Sequence, residues 1–134
     1  MNPIINATFR DLQDPLNPNN GRSVCDAQSL KTIFDSLRGR PPFLCEFMGD
    51  EVRLVVGVGD SGFVQFGAAD GEPPYLVAIG STTGHSGDSA EFLTANTPTP
   101  IPRRYCMPMA TVCDIVLDCL VRKQPSPQTN WEEI

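Results

Sequence analysis

The chain has 134 residues, 40% of them apolar and 19% charged, which suits one globular domain whose core needs neither disulfides nor metal. Its first residues lack the basic and apolar regions of a signal peptide, and no stretch approaches the roughly 20 apolar residues of a membrane span. These features predict a cytoplasmic protein, and the net charge of −6 argues against direct binding of nucleic acid.

The first part of the chain predicts a strand, a loop and an amphipathic helix. Residues 4–9 have strand character and are followed by the turn-rich sequence DPLNPNNG. Apolar residues then recur at helical spacing over residues 24–37. Ser23 is placed to cap this helix, and Gly39 and Pro41 are placed to end it.

Four runs rich in Val, Phe and Leu predict consecutive strands. They cover residues 43–48, 52–58, 63–68 and 75–79. The joints GDE, GDSG and ADGEPP are short turn sequences, so we expect these strands to pair antiparallel as a meander.

The last part of the chain predicts a loop at residues 80–90, a short strand at residues 91–95 and a kinked TPTPIPRR connection. A second amphipathic helix starts at Pro108, Pro125 and Pro127 end it, and the tail TNWEEI predicts a final strand.

The order of elements predicts an α+β fold, an antiparallel β-sheet meander with two amphipathic helices packed on one face. We expect one compact domain overall. Within it, residues 1–23 form an N-terminal strand and loop segment, and residues 24–134 form the α+β body.

The acidic residues are concentrated in the middle of the chain. Residues 1–45 carry +1 and residues 103–134 are neutral, whereas residues 46–102 carry −7. Such a block attracts a basic partner protein and raises its association rate. The alternative interpretation is ordinary solubility.

The five cysteines have no C-x-x-C spacing and are odd in number, which suits neither a disulfide framework nor a zinc site. We expect reduced thiols and no metal. Cys113 and Cys119 lie in an apolar helical pattern, where cysteine usually acts as a small core residue.

The sequence GVGDSG at residues 57–62 fits the G-x-G-x-x-G pattern of dinucleotide-binding loops. That loop requires a following helix, whose N-terminus holds the pyrophosphate, but FVQF indicates a strand. Asp60 also places a negative charge where the phosphates would bind. We therefore expect a hairpin and no cofactor.

His85, Ser86 and Asp88 lie in one predicted loop. A hydrolase triad needs members that converge from separate elements, together with an oxyanion hole, and neighbouring loop residues rarely achieve this geometry. We predict that the protein is not an enzyme. Trp131 could fill the core or anchor an interface, and its position in a strand-like tail favours the core.

Over residues 24–134 the chain resembles the Imm type 1 immunity proteins of bacterial polymorphic toxin systems. The resemblance is strongest in LVVGVGDSGFVQF, a strand, a Gly-Asp-x-Gly turn and a second strand, followed by Tyr75 and Gly80. The Ile101-Pro102 connection, the helix from Pro108, and Trp131 three residues after Gln128 continue it.

The resemblance implies a protein that binds a cognate secreted toxin, often a nucleic-acid deaminase, and covers its active site. The basic channel of such a toxin would attract the acidic block. The turn and loop residues expected at this interface are Asp60, Asp70, Glu72, His85, Asp88 and Glu91. The alternatives are an adaptor domain that binds without inhibiting and a small hydrolase.

Overall fold

The computed structural model describes residues 5–79 and 89–134. In this part of the chain the elements are β1 (Ala7–Asp11), β2 (Ser23–Val24), α1 (Ala27–Ser36), β3 (Phe43–Gly49), β4 (Val52–Val58), β5 (Ser61–Ala68), β6 (Leu76–Ala78), β7 (Ser89–Thr94), β8 (Thr97–Pro102), a 3-10 turn (Arg103–Tyr105), β9 (Met107–Pro108), α2 (Met109–Arg122) and β10 (Trp131–Glu133). None of the helices in these residues is long and apolar enough to cross a membrane.

The main sheet has the strand order β10-β6-β5-β4-β3-β1-β2, and its pairs are antiparallel. The predicted meander is confirmed, because β3, β4, β5 and β6 pair in sequence order. The predicted C-terminal strand is confirmed as β10, which pairs with β6 from Trp131 opposite Ala78. The first strand lies later than predicted, at Ala7–Asp11, and joins this sheet beside β3.

Both helices pack on the same face of the sheet, which confirms the α+β prediction. Alternate residues of β3 and β4, such as Phe47 and Leu54, form one core with Ile33 of α1 and Val116 of α2. A smaller core covers part of the other face, where Phe92 of β7 packs on Phe63 of β5 with ring centroids 5.2 Å apart. The sheet is therefore buried on both faces near the β4–β5 connection.

The first helix begins three residues later than its apolar spacing predicts. Ser23 and Val24 form β2, and Asp26 is the N-cap. The Asp26 carboxylate accepts a 2.7 Å hydrogen bond from the Ser29 amide, and the Ser29 hydroxyl oxygen accepts one of 3.1 Å from the Asp26 amide. This reciprocal capping lowers the pKa of Asp26. It also fixes Asp26, and not Ser23, as the N-cap of α1.

The TPTPIP sequence is a strand rather than a kinked connection. β7 and β8 form a hairpin through Ala95 and Asn96, whose φ angles of 49° and 67° are those of a type I′ turn. Pro98 lies opposite Leu93, and Pro100 lies opposite Glu91. In this register both pairs are non-hydrogen-bonded pairs of the antiparallel ladder. The prolines are tolerated because their missing N–H groups would point away from β7.

The second helix begins at Met109, one residue after the predicted start at Pro108, which is its N-cap, and it ends at Arg122. Lys123 adopts a left-handed conformation with φ of 58°, and its amide donates to the carbonyl oxygen of Cys119 at 2.8 Å. This is a helix C-cap geometry. Pro125 stands two residues after this cap, where proline cannot continue a helix, which agrees with the predicted proline stop.

Candidate partner-binding site

The glycine-rich connection between β4 and β5 is a hairpin, as predicted, because the residues that follow it form β5. A Cβ atom on Gly57 would lie 2.5 Å from the ring of Phe63 and 2.8 Å from that of Phe92. A Cβ atom on Gly62 would lie 2.7 Å from the sulfur of Met109 and would also collide with the Gly57 carbonyl. Both glycines are therefore explained by close packing.

One end of the sheet carries a group of exposed carboxylates, which we call the acidic end. Its members are Asp50, Glu51, Asp70 and Glu72. Alternate connections of a meander lie at the same end of a sheet, and the amide of Ala69 joins these two by donating to the Glu51 carbonyl at 3.1 Å. Residues 49–51 and 69–75 contain no Lys or Arg, so four negative charges are held on two adjoining turns.

The acidic end includes two predicted interface residues, Asp70 and Glu72, and two that sequence reasoning missed. Asp70 accepts a 3.0 Å hydrogen bond from the Glu72 amide, which fixes the shape of this turn. Asp50 and Glu51 lie in the β3–β4 connection. The predicted meander could have identified both residues, since it places the β3–β4 connection beside the β5–β6 connection.

Glu46 belongs to the acidic block of the sequence but not to the exposed acidic surface. Its side chain is buried, and its Oε2 lies 2.6 Å from Nε of Arg53. The cross-strand register also places Arg10 opposite Glu46. This carboxylate is therefore compensated on the face of the sheet opposite the helices.

The other predicted interface residues do not join the acidic end. Asp60 lies at the opposite end of β4, and the seven residues of this strand separate the two ends by about 20 Å. Glu91 is exposed on β7, opposite Pro100. His85 and Asp88 lie outside the described residues, as does most of the predicted loop at residues 80–90. The predicted interface residues that the structure describes therefore lie on separate surfaces.

Asp60 lines a groove of about 610 Å³ between α1, α2 and the β4–β5 connection, which we call the helix groove. Its apolar lining consists of Ala27, Leu30, Phe34, Leu37, Val58, Met109, Ala110, Cys113 and Leu117. Met109, Cys113 and Leu117 follow one another at intervals of four, so they form a stripe along α2. The groove combines an apolar floor with charged edges, as binding pockets usually do.

The charged residues that line the helix groove are of both signs. On α1, Asp35 pairs with Lys31 at 2.8 Å and with Arg38 at 3.2 Å. Asp60 and Asp114 are exposed and form no ion pair with the described residues. With Arg40, the lining holds three basic and three acidic side chains and so carries no net charge.

Arg40 closes one end of the helix groove and is held in place by a buried carboxylate. Its Nη1 lies 2.7 Å from Oδ2 of Asp11, and its guanidinium lies 3.8 Å from the ring centroid of Phe43. Burial opposes ionisation of Asp11, but hydrogen bonds from Arg40, Asn17 and two backbone amides outweigh it and lower the pKa of this carboxyl. This network also holds the loop between β1 and β2 against the sheet.

The cysteines are free thiols in different surroundings. Cys119 is buried in the core, as predicted, and burial raises its pKa to about 12. Cys113 is only half-buried, because it faces the helix groove, and burial raises its pKa as well. Cys25 is exposed beside the start of α1. The thiols differ mainly in their access to solvent.

Trp131 packs on the core, as predicted. Its ring lies edge-on to Phe66 with centroids 6.1 Å apart, and its indole N–H donates to the carbonyl oxygen of Ser126 at 2.8 Å. The side chain thereby joins β10 to the segment that follows α2. Its hydrogen-bonded indole makes it a structural anchor.

The described residues contain no group of three or more His, Cys, Asp or Glu side chains arranged to hold a metal ion. The catalytic candidates His85 and Ser86 lie outside those residues. No protein-family model matches the chain, and no curated protein sequence matches it.

Proposed function

We propose that this protein is an immunity protein, which binds and neutralises a cognate secreted toxin by covering its active site. The observation that carries the proposal is the acidic end, where Asp50, Glu51, Asp70 and Glu72 lie on two hydrogen-bonded turns. The resemblance of residues 24–134 to the Imm type 1 family supports the same function. The proposed target is a nucleic-acid deaminase.

The chemistry of such a target explains why an acidic surface would inhibit it. An enzyme that acts on nucleic acid neutralises phosphates with Lys and Arg, so its substrate channel is basic. Carboxylates on short, fixed turns can occupy that channel with little loss of conformational entropy. Charge complementarity also accelerates association, which matters for an inhibitor that must act before the toxin does.

The test requires the cognate toxin-like domain, which the proposal expects the neighbouring reading frame to encode. The double variant Glu51→Lys and Glu72→Lys reverses two charges whose side chains make no hydrogen bond within the described residues. We expect its association rate to fall by at least about tenfold at low salt and to lose most of its salt dependence. Surface plasmon resonance at several salt concentrations measures both effects.

Glu91→Lys is the matched control, because Glu91 is an exposed glutamate on β7, a strand that pairs with β3 at Phe43, at the end of β3 opposite both turns. This variant should associate at nearly the normal rate. An unchanged association rate in the double variant would contradict the role of the acidic end. Failure of the unaltered chain to rescue cells that express the toxin-like domain would remove the immunity function for that pair, and binding without rescue would instead support an adaptor.

A further inference from the structure

One edge of the main sheet is formed by β10, which pairs with β6 alone within the described residues. The Ile79 amide donates to the Asn130 carbonyl oxygen at 2.9 Å. At the other end of the pair, the Ile134 amide donates to the Tyr75 carbonyl oxygen, also at 2.9 Å. The backbone pairing with β6 therefore extends from Asn130 to Ile134.

The register determines which backbone groups of β10 point away from the sheet. In an antiparallel ladder, hydrogen-bonded pairs alternate with non-bonded pairs, whose backbone groups point away from the partner strand. Asn130 and Ile134 belong to bonded pairs, and so does Glu132 between them. Trp131 and Glu133 therefore each direct one N–H donor and one C=O acceptor away from β6. Neither residue makes a further backbone hydrogen bond with the described residues.

Two other strand edges are blocked by the chain itself. Along β8, Pro98 and Pro100 lack the N–H groups that would point away from β7. Along β1, the Gly21 amide donates to the Phe9 carbonyl oxygen at 2.9 Å, and the Phe9 amide donates to that of Arg22 at 3.0 Å. Missing donors and occupied backbone groups exclude an added strand whatever its sequence.

The edge of β10 contains no proline and is protected by charge, which discriminates between partners. Glu133 is exposed and forms no ion pair with the described residues. Like charges directly opposite each other destabilise a strand pair, and opposite charges stabilise it. An acidic strand, or a second copy of β10 in register at Glu133, is therefore disfavoured. A strand with Lys or Arg opposite Glu133 is favoured.

The edge of β10 is continuous with the acidic end. Glu133 lies opposite Leu76 at the start of β6. The preceding residue, Tyr75, donates its hydroxyl to the Gly71 carbonyl oxygen at 2.6 Å, within the turn that also holds Glu72. Neither β10 nor the two turns of the acidic end contain Lys or Arg. One basic segment of a partner can therefore contact both.

We propose that the edge of β10 receives an extended segment of the partner protein as an added antiparallel strand, with a Lys or Arg opposite Glu133. This proposal rests on the proposed function, because it names how the same partner is held. β10 runs towards the acidic end, so the partner residues that precede the added strand lie there. Their charges accelerate the encounter, and the backbone hydrogen bonds slow dissociation.

The first probe is an acetylated peptide of about eight residues, rich in Thr and Val, with Lys residues near its N-terminus. A second peptide has Glu in place of every Lys. Amide NMR spectra of the intact protein measure the dissociation constant of each peptide. We expect the Lys peptide to shift the amide resonances of Trp131 and Glu133 at about 1 mM or below, and the Glu peptide to bind at least about fivefold more weakly.

Two substitutions at Glu133 separate the backbone contribution from the charge. Glu133→Gln and Glu133→Pro both remove the carboxylate, but only proline removes the outward N–H group. Proline is tolerated there because this N–H group does not bond to β6. We expect Glu133→Gln to reduce the preference for the Lys peptide, and Glu133→Pro to bind that peptide at least about fivefold more weakly than Glu133→Gln does. Equal affinities in the two variants overturn the proposal.

Hydrogen exchange locates the added strand without any substitution. In the free protein the amides of Trp131 and Glu133 should exchange quickly, whereas the Ile134 amide, which is bonded to Tyr75, should exchange slowly. Both fast amides should become protected in the complex with the toxin-like domain. Unchanged exchange in that complex overturns the proposal, as does the absence of peptide binding at about 1 mM or equal binding of both peptides. Protection that rises with protein concentration alone would assign the edge to a second copy and overturn it too.

The two proposals fail in different ways. If the Lys peptide binds β10 as expected but the chain does not neutralise the toxin-like domain, the proposed function is wrong. If the chain neutralises that domain and the Glu133→Pro variant dissociates from it at the same rate as Glu133→Gln, the edge of β10 does not hold the partner. In that second case the acidic end still carries the proposed function.

Discussion

The guanidinium of Arg40 lies 2.7 Å from a carboxylate oxygen of Asp11, whose side chain has no exposed surface. A buried carboxylate needs its partners, and this one also accepts hydrogen bonds from the amides of Gln13 and Asp14 at 2.8 Å and from the Asn17 side chain at 2.9 Å. The pair joins the end of β1 to the residues that follow α1. The end of the helix groove therefore depends on an ion pair between segments far apart in sequence.

Arg40→Ala should lower the free energy of unfolding by about 2 kcal/mol, because it leaves the buried carboxylate of Asp11 without its cation. Chemical denaturation with urea measures the change. Arg38→Ala is the control, since Arg38 pairs with Asp35 on the surface with 82% of its side chain exposed. Its effect should stay below about 0.5 kcal/mol. Equal losses in the two variants would contradict the importance of the buried pair.

Stability should fall in acid as the carboxylate of Asp11 is protonated. Its pKa in the folded protein lies below the ordinary value of 3.8, so its ionised form stabilises the fold above that value. This stabilisation is lost as the pH falls through the folded pKa. Urea denaturation between pH 7 and pH 2.5 should show a smaller acid-induced loss in Asp11→Asn than in the unaltered chain. A parallel pH profile in the variant would exclude this contribution.

Gly57→Ala should destabilise the protein by about 1 to 3 kcal/mol, because the added methyl group would collide with the packed rings of Phe63 and Phe92. Thermal unfolding measures the loss. Gly67→Ala on the neighbouring strand is the control, since its added Cβ would find only the Tyr75 ring, at 3.8 Å. If Gly57→Ala proved neutral, the packing explanation of the glycine-rich sequence would be wrong.

Pro98→Thr with Pro100→Thr should promote self-association through the edge of β8. The substitutions restore N–H groups that point away from β7, and an exposed strand edge with donors can pair with another chain. Sedimentation velocity at increasing concentration should show larger species for this variant. Ile101→Thr is the control, because the Ile101 amide already faces β7. A sedimentation coefficient that does not change with concentration would contradict the protective role of the prolines.

The strands of the meander were accessible to sequence reasoning because their signals are local. The runs that became β3, β4 and β5 combine β-branched and aromatic residues with short turn sequences, and antiparallel pairing of neighbours requires no long-range information. The first helix shows where this reasoning fails. Val24 fits the helical spacing, but its burial comes from pairing with Ala7 in the sheet.

The candidate site was also predicted only in part from the sequence. Asp70 and Glu72 were selected by their charge and turn context, and the structure places them together. Asp60 was selected on the same grounds but lies at the other end of the sheet, beside a groove that no sequence pattern indicated. Helix spacing predicts which face of α2 is apolar, but it does not predict how closely α1 approaches that face.

The sequence alone determined the acidity of the middle of the chain, the antiparallel meander and the two amphipathic helices, because charge, turn chemistry and periodicity are properties of neighbouring residues. Only the tertiary structure decided that the acidity separates into an acidic end and the edge of the helix groove. Strand length and register set that separation, and the packing of α1 against α2 set the groove. Both depend on contacts between residues distant in the chain.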